Sequence, residues 1–299
     1  MSTANYYVPA QSKWPIITAL AVGLFLYGFA LMLYNSANGA ADGQSSSIVS
    51  ISMLTLGALG LIYVFFGWFG NVIQESNLGL YSKQMDASFR ISMIWFIFTE
   101  IMFFAAFFGA LFYTRYLALP WIAAEGHKTM NFLLWPNFIA GWPLFENPDN
   151  TLFKAPSGII DPFHLPLINT ILLVTSSFTL SYAHHALKEN KRSSVIPWLA
   201  LTVILGIIFL YLQGTEYVHA YRDLGLTLDS GVYGSIFFLL TGFHGLHVTI
   251  GTIGLFVILM RIIKGHFNKD NHFGFEAVSW YWHFVDVVWL LLFVSVYIL

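Results

Sequence analysis

Residues 272–293 read HFGFEAVSWYWHFVDVVWLLLF. The run is apolar and aromatic, yet it carries Glu276, His283 and Asp286. On an α-helix the seven-residue and three-residue spacings of these groups bring them to nearly one face. Ionisable groups on an apolar helix are costly in lipid, so this face is expected to point into protein. Two readings stay open: the groups pair within a helix bundle and hold it together, or they form a site.

Composition extends the membrane reading to the whole chain. Of 299 residues, 57% are hydrophobic, 18% aromatic and 9% charged, where a soluble domain carries about 25% charged residues. The net charge of −2 offers nothing to a nucleic acid. With no cysteine, disulfides, iron–sulfur clusters and thiolate copper sites are excluded within this chain. The start, MSTANYYVPAQSKWP, lacks a basic segment before a short apolar core, so no cleavable signal peptide is expected.

Seven apolar segments follow, at about 14–34, 48–70, 91–113, 167–187, 195–212, 232–262 and 277–299. Each approaches or exceeds the ~18–20 residues needed to cross hydrocarbon. The fifth is the shortest, and the sixth is long enough to tilt. The predicted fold is all-α, a seven-helix integral membrane bundle. The polar turn 35–47, NSANGAADGQSSS, sets the first two helices apart from the other five.

Charge asymmetry orients the segments. Lys13, Lys83, Arg90, Lys188, Lys191, Arg192, Arg261, Lys264 and Lys269 fall on one side, nine of the thirteen basic residues. Arg115, Lys128, Lys154 and Arg222 fall on the other. The positive-inside rule then puts the N-terminus in the cytoplasm (or matrix) and Leu299 outside. The long outer stretch 115–165 interleaves Trp121, Trp135 and Trp142 with Pro120, Pro136 and Pro143. It suits either a folded segment at the interface or a plain outer loop.

The ten histidines do not form a haem pattern. Two haems stacked between helices would need histidines 13–14 residues apart, ~20 Å at 1.5 Å per residue, and no pair has that spacing. His184 and His185 are adjacent and diverge by about 100° on a helix. His244 and His247 could share a face, but no ExxH partner accompanies them. A polar seam of His244, His247, Glu276 and His283, packed through Gly242, Gly245 and Gly251, is expected instead. Glu100 lies ten residues into the third segment, about 15 Å deep, beside Phe96, Phe103 and Phe104. It reads either as a protonated carboxyl bonded to a neighbouring helix or as part of a proton path.

Four strings carry a family resemblance. They are RISMIWFIFTEIMFF at 90–104, PLINTILLVTSSFTLSYAHHAL at 166–187, TGFHGLHVTIGT at 241–252 and the C-terminal HFGFEAVSWYWHFVDVVWL. In this order they resemble subunit III of the haem–copper cytochrome c oxidases. The resemblance implies one membrane domain over 1–299, with helices 1–2 and helices 3–7 separated by a lipid cleft. It implies no haem or copper in this chain, haem a and copper in partner subunits I and II, and bound phospholipid. It further implies a complex that passes electrons from cytochrome c to dioxygen and pumps protons.

Residue by residue, Glu100 matches a buried glutamate of the family's TEIMFF-like motif. The stretch GWFGNVIQESNLG at 67–79 matches its lipid-binding helix end at Trp68, Val72, Ile73 and Glu75. Asn71 and Gln74 replace the usual Asp and Arg there, and the following Gly–His pair is absent. Arg90 and Arg261 match basic positions near the lipid, and ordinary anchoring of the basic side would also account for them. PSGIIDPFHLPLINT resembles the lead-in to the fourth helix, while 120–154 resembles an insertion. Two alternatives remain. One is subunit III of a quinol oxidase, against which the two extra N-terminal helices argue. The other is a proton-coupled transporter using Glu100 and Asp286, which would need internal repeats or broken helices that the chain lacks. A bacterial cytoplasmic membrane, with the C-terminus in the periplasm, is the expected location.

Overall fold

The computed structural model describes residues 11–38, 45–125, 129–269 and 271–299. Lys128 of the outer basic set lies outside them, as do residues 39–44 of the polar turn. Seven helices are long and apolar enough to cross a membrane, and among the described residues there is no strand. They are α1 Trp14–Asn38, α2 Ser45–Asn77, α3 Lys83–Tyr113, α4 Leu165–Lys188, α5 Arg192–Arg222, α6 Val232–Lys264 and α7 Phe273–Leu292. The all-α, seven-helix expectation holds.

The helix ends differ from the hydropathy limits, because a helix is closed by caps and not by the last apolar residue. α3 starts eight residues before Ile91, where the Ser82 hydroxyl accepts the Met85 N–H at 3.3 Å and Asp86 sits in the first turn. It then continues through a π turn at Thr114–Ala118 into Leu119–Ile122. α2 ends in a glycine turn, Gly79 at φ +71°, with Gly79 N–H to Ser76 O and Leu80 N–H to Glu75 O. α6 ends likewise at Gly265, φ +83°. The fifth segment, expected to be the shortest and to stop at Leu212, runs 31 residues to Arg222. Hydropathy stops it at Gln213; the helix goes on because Gln213 and Glu216 are hydrogen-bonded inside the protein.

The chain divides into two compact units, Met1–Ser88 and Phe89–Leu299. In the first, α1 and α2 pack through small residues. A side chain at Gly28 or Gly57 would run into the backbone of the facing helix, at Leu54 and Phe25. Trp14 lies over Gly67 and against Tyr63, ring centroids 5.6 Å apart.

In the second unit α7 is the axis, and it is the span with the largest buried share. Trp282 and Trp289 are both wholly buried. Trp282 lies against Gly206 of α5 and Gly251 of α6, where a Cβ would stand 2.9 and 2.8 Å from its ring. Its indole N–H reaches the Ser176 hydroxyl of α4 at 2.8 Å, and that of Trp289 reaches Thr170 at 2.9 Å. The expected packing through Gly242, Gly245 and Gly251 is therefore corrected. Gly251 takes part, a side chain at Gly242 would touch the Tyr217 hydroxyl of α5 at 3.6 Å, Gly245 meets nothing within 4 Å, and Gly206 supplies the second notch. Near the basic side, Arg192 donates to the Ile262 and Ile263 carbonyls and ties the start of α5 to the end of α6.

Part of the outer stretch folds onto this unit. Buried Asn147 donates to Phe153 O and Ser230 O, and Ser157 donates to Leu224 O. Trp142 stacks edge-on against Tyr233 at 5.1 Å, and Arg115 lies over its ring at 5.9 Å. The Thr151 hydroxyl, then the Thr151 and Leu152 N–H groups, hold the Asp149 carboxyl below its ordinary value. That turn is therefore supported at neutral pH and loosens as pH falls through the lowered value.

Trp282→Ala would leave a cavity at the point where four helices meet, and we expect a loss of about 3–5 kcal/mol. Trp282→Phe should retain most of the packing and lose the bond to Ser176. Thermal unfolding of both variants in detergent checks the order.

Candidate functional site

Glu100 of α3 and His247 of α6 are separated by 147 residues in sequence and meet at 2.8 Å, Oε2 to Nε2. The histidine's other nitrogen, Nδ1, lies 2.6 Å from Phe243 O. A carbonyl only accepts, so Nδ1 carries the hydrogen. The bond to Glu100 then has two forms: carboxylate accepting from imidazolium, or carboxylic acid donating to neutral imidazole. Both forms share one proton between the pair. Phe104 and Phe103 face the imidazole at 4.9 and 5.7 Å, and Tyr281 lies at 6.4 Å. This aromatic collar lowers the local dielectric and strengthens the bond.

Arg90 forms a salt bridge with Glu276 of α7. Phe89 and Phe273 stack beside the pair at 5.9 Å, and Arg90 lies over Phe273. Arg261 of α6 lies over Phe267 at 4.1 Å and faces Gly274. Its Nε is buried and makes no hydrogen bond among the described residues. In the first unit, Trp68 is partly exposed and Glu75 accepts from the Tyr81 hydroxyl at 2.8 Å.

The remaining residues of the anticipated seam go separate ways. His283 Nδ1 meets Ser177 Oγ of α4 at 2.6 Å. Asp286 is buried, and neither of its oxygens makes a hydrogen bond of good geometry; the Ser177 hydroxyl lies toward it but is engaged by His283. His244 is wholly buried between Phe209 and Trp289, its ring nitrogens unbonded among the described residues. Thus His244, His247, Glu276 and His283 take four different environments. Glu276 and His283 do share a face of α7, but they stand about 10 Å apart along its axis and meet different helices. Among the described residues, no group of three or more His, Asp or Glu could hold a metal ion.

The sequence reading missed a further polar cluster. Asn169, Gln213, Glu216 and Tyr297 come from α4, α5 and the π turn Phe293–Ile298 that extends α7. All four are buried. The available signal was Gln213 and Glu216, three apart on the face of a strongly apolar run.

The family model of cytochrome c oxidase subunit III matches residues 4–122 and 144–299. The chain belongs to the cytochrome c oxidase subunit III family. Proteins named cytochrome c oxidase subunit 3 from Oncorhynchus clarkii and Salmo salar are each 37% identical to it over 295 residues. One from Struthio camelus is 37% identical over 296. Each alignment covers 98% of this chain and 96% of the relative. A member of this family with seven membrane-length helices is a multi-pass membrane protein. The only stretch between the matched segments, 123–143, falls inside the insertion expected over 120–154 and is narrower than it.

Arg90 and Glu276 hold each other across α3 and α7. We expect Arg90→Ala and Glu276→Ala each to destabilise the protein, and the double variant to lose less than their sum. The coupling should be about 0.5–3 kcal/mol in a double-mutant cycle read by thermal unfolding.

Proposed function

We propose that this chain is the non-redox subunit III of an aa3-type cytochrome c oxidase, working with subunits I and II. Those subunits would carry haem a and copper, and electrons would pass from cytochrome c to dioxygen with proton pumping. This chain would stabilise the catalytic subunit, bind phospholipid and support oxygen and proton access. The observation that supports the reading is the Glu100–His247 pair. The deepest carboxyl of α3 is engaged by a neighbouring helix and collared by aromatic rings, as suits a structural proton pair. The full-length likeness to proteins named cytochrome c oxidase subunit 3 weighs against a transporter.

Lipid binding draws support from the surface of each unit. Arg261 is partly exposed and sets its guanidinium over Phe267, and guanidinium suits phosphate geometry. An open apolar groove of about 840 Å³ runs between α3 and α7, lined by Ile97, Ile101, Phe104, Val287 and Leu291. It suits an acyl chain or a route for oxygen. On the first unit, Trp68 and Glu75 are the proposed lipid contacts. The protein would lie in a bacterial cytoplasmic membrane, N-terminus in the cytoplasm and C-terminus in the periplasm. The nine basic residues grouped on one side support that orientation.

If Glu100 is a structural pair member, a neutral isostere should be tolerated. In Glu100→Gln the amide can donate to His247 Nε2. We expect assembly, oxygen consumption and most proton release in vesicles to survive. Glu100→Lys sets a cation against the imidazole, at about 2.5–3.5 kcal/mol for a central lysine, and should impair assembly. Loss of pumping in Glu100→Gln with oxygen consumption intact would put Glu100 on an obligatory proton path.

Arg261→Ala tests the lipid, since Arg90 is already committed to Glu276. Phospholipid retained per purified complex should fall. Unchanged stoichiometry would leave Arg261 as an orientation signal alone.

A further inference from the structure

We propose that the outer end of the five-helix unit holds a buried hydration site, in which one internal water joins the acid proton of Glu216 to Asn169. The site is independent of Glu100 and of lipid binding. Its frame is a chain of hydrogen bonds across three elements. The Tyr297 hydroxyl donates to Glu216 Oε1 at 2.6 Å, and Gln213 Nε2 donates to the same oxygen at 3.1 Å. Asn169 Nδ2 donates to Gln213 Oε1 at 3.3 Å. Two atoms of this cluster are left over, buried and unbonded: Glu216 Oε2 and Asn169 Oδ1.

The leftover atoms determine the chemistry. Glu216 and Asn169 are both 0% exposed. Among the described residues no Lys or Arg forms a salt bridge with Glu216. The titratable groups around it are Tyr297 from the α7 extension, and Tyr217 and His219 from its own helix. Tyr217 is bonded to Thr241 of α6, and His219 to Asp223 at the exposed helix end. α4 brings only the neutral Asn169. Two neutral donors on one oxygen do not offset the burial of a whole carboxylate. Glu216 is therefore the acid. Its proton sits on Oε2, because Oε1 already receives two donors.

An O–H on Oε2 requires an acceptor, and Asn169 Oδ1 is the acceptor of this cluster without a donor. Neither oxygen is reached by a donor among the described residues. A water that accepts from Oε2–H and donates to Oδ1 satisfies both. It closes a ring through Asn169, Gln213 and Glu216, with Tyr297 fastening the C-terminal turn of α7. The ring ties α4, α5 and α7 together at the end of the unit remote from Arg90 and Glu276.

Infrared spectra of the purified oxidase complex test the assignment. Wild type minus Glu216→Gln should show one carbonyl-stretch band of a protonated carboxylic acid at neutral pH, and no carboxylate bands. Asn169→Leu should keep that band and shift it to higher frequency, because the acid proton loses its acceptor chain. Carboxylate bands in the first difference overturn the proposal, as does an unshifted band in the second. Should Glu216→Gln fail to assemble, Asn169→Leu against wild type reads the same band. A high-resolution structure of the wild-type complex needs no variant. It should show an ordered water within hydrogen-bond distance of Asn169 Oδ1 and Glu216 Oε2, and a dry gap or direct contact there overturns the hydration site.

Discussion

A polar group in hydrocarbon has no water to bond, and it must find its partner inside the protein. Much of the second unit follows from that constraint. Glu100 finds His247, Glu276 finds Arg90, His283 finds Ser177, and Glu216 takes two donors on one oxygen. All of these bonds except that from Gln213 to Glu216 join different helices or elements, so each of them is also a tie. Because the hydrophobic effect cannot distinguish helix from lipid here, such ties and close packing supply the association that burial supplies in a soluble protein.

Close packing is arranged around indoles. Trp282 needs the missing side chains of Gly206 and Gly251 to approach α5 and α6, and Trp289 packs edge-on against Phe209 at 4.9 Å. Both indole N–H groups end on α4 hydroxyls. An indole is large enough to reach three helices at once, and its single donor fixes its orientation. The apolar collar about Glu100 and His247 uses the same device with phenylalanine. The outward faces are otherwise rich in exposed Ile, Leu and Phe, as suits lipid or an apolar partner subunit.

Among the described residues, the histidines take differing environments, and only His184 and His272 bring their rings together, at 5.7 Å. His244 stands alone between aromatic rings, and His247 is held by a carboxyl and a carbonyl.

The sequence by itself determined the fold class, because seven runs of apolar residues long enough to cross hydrocarbon leave a chain few other ways to hide its backbone. It also determined the family, through strings such as TGFHGLHVTIGT, and it pointed to Glu100 and Asp286 as buried carboxyls and to Glu276 as part of a polar seam. Only the tertiary structure decided their partners. The bond from Glu100 to His247 spans 147 residues and the pair of Arg90 with Glu276 spans 186. Helical periodicity relates neighbours on one face and carries no information between helices. The same reason hid Glu216: hydropathy counts it as the end of a helix, whereas Tyr297, from the far end of the chain, makes it part of the interior.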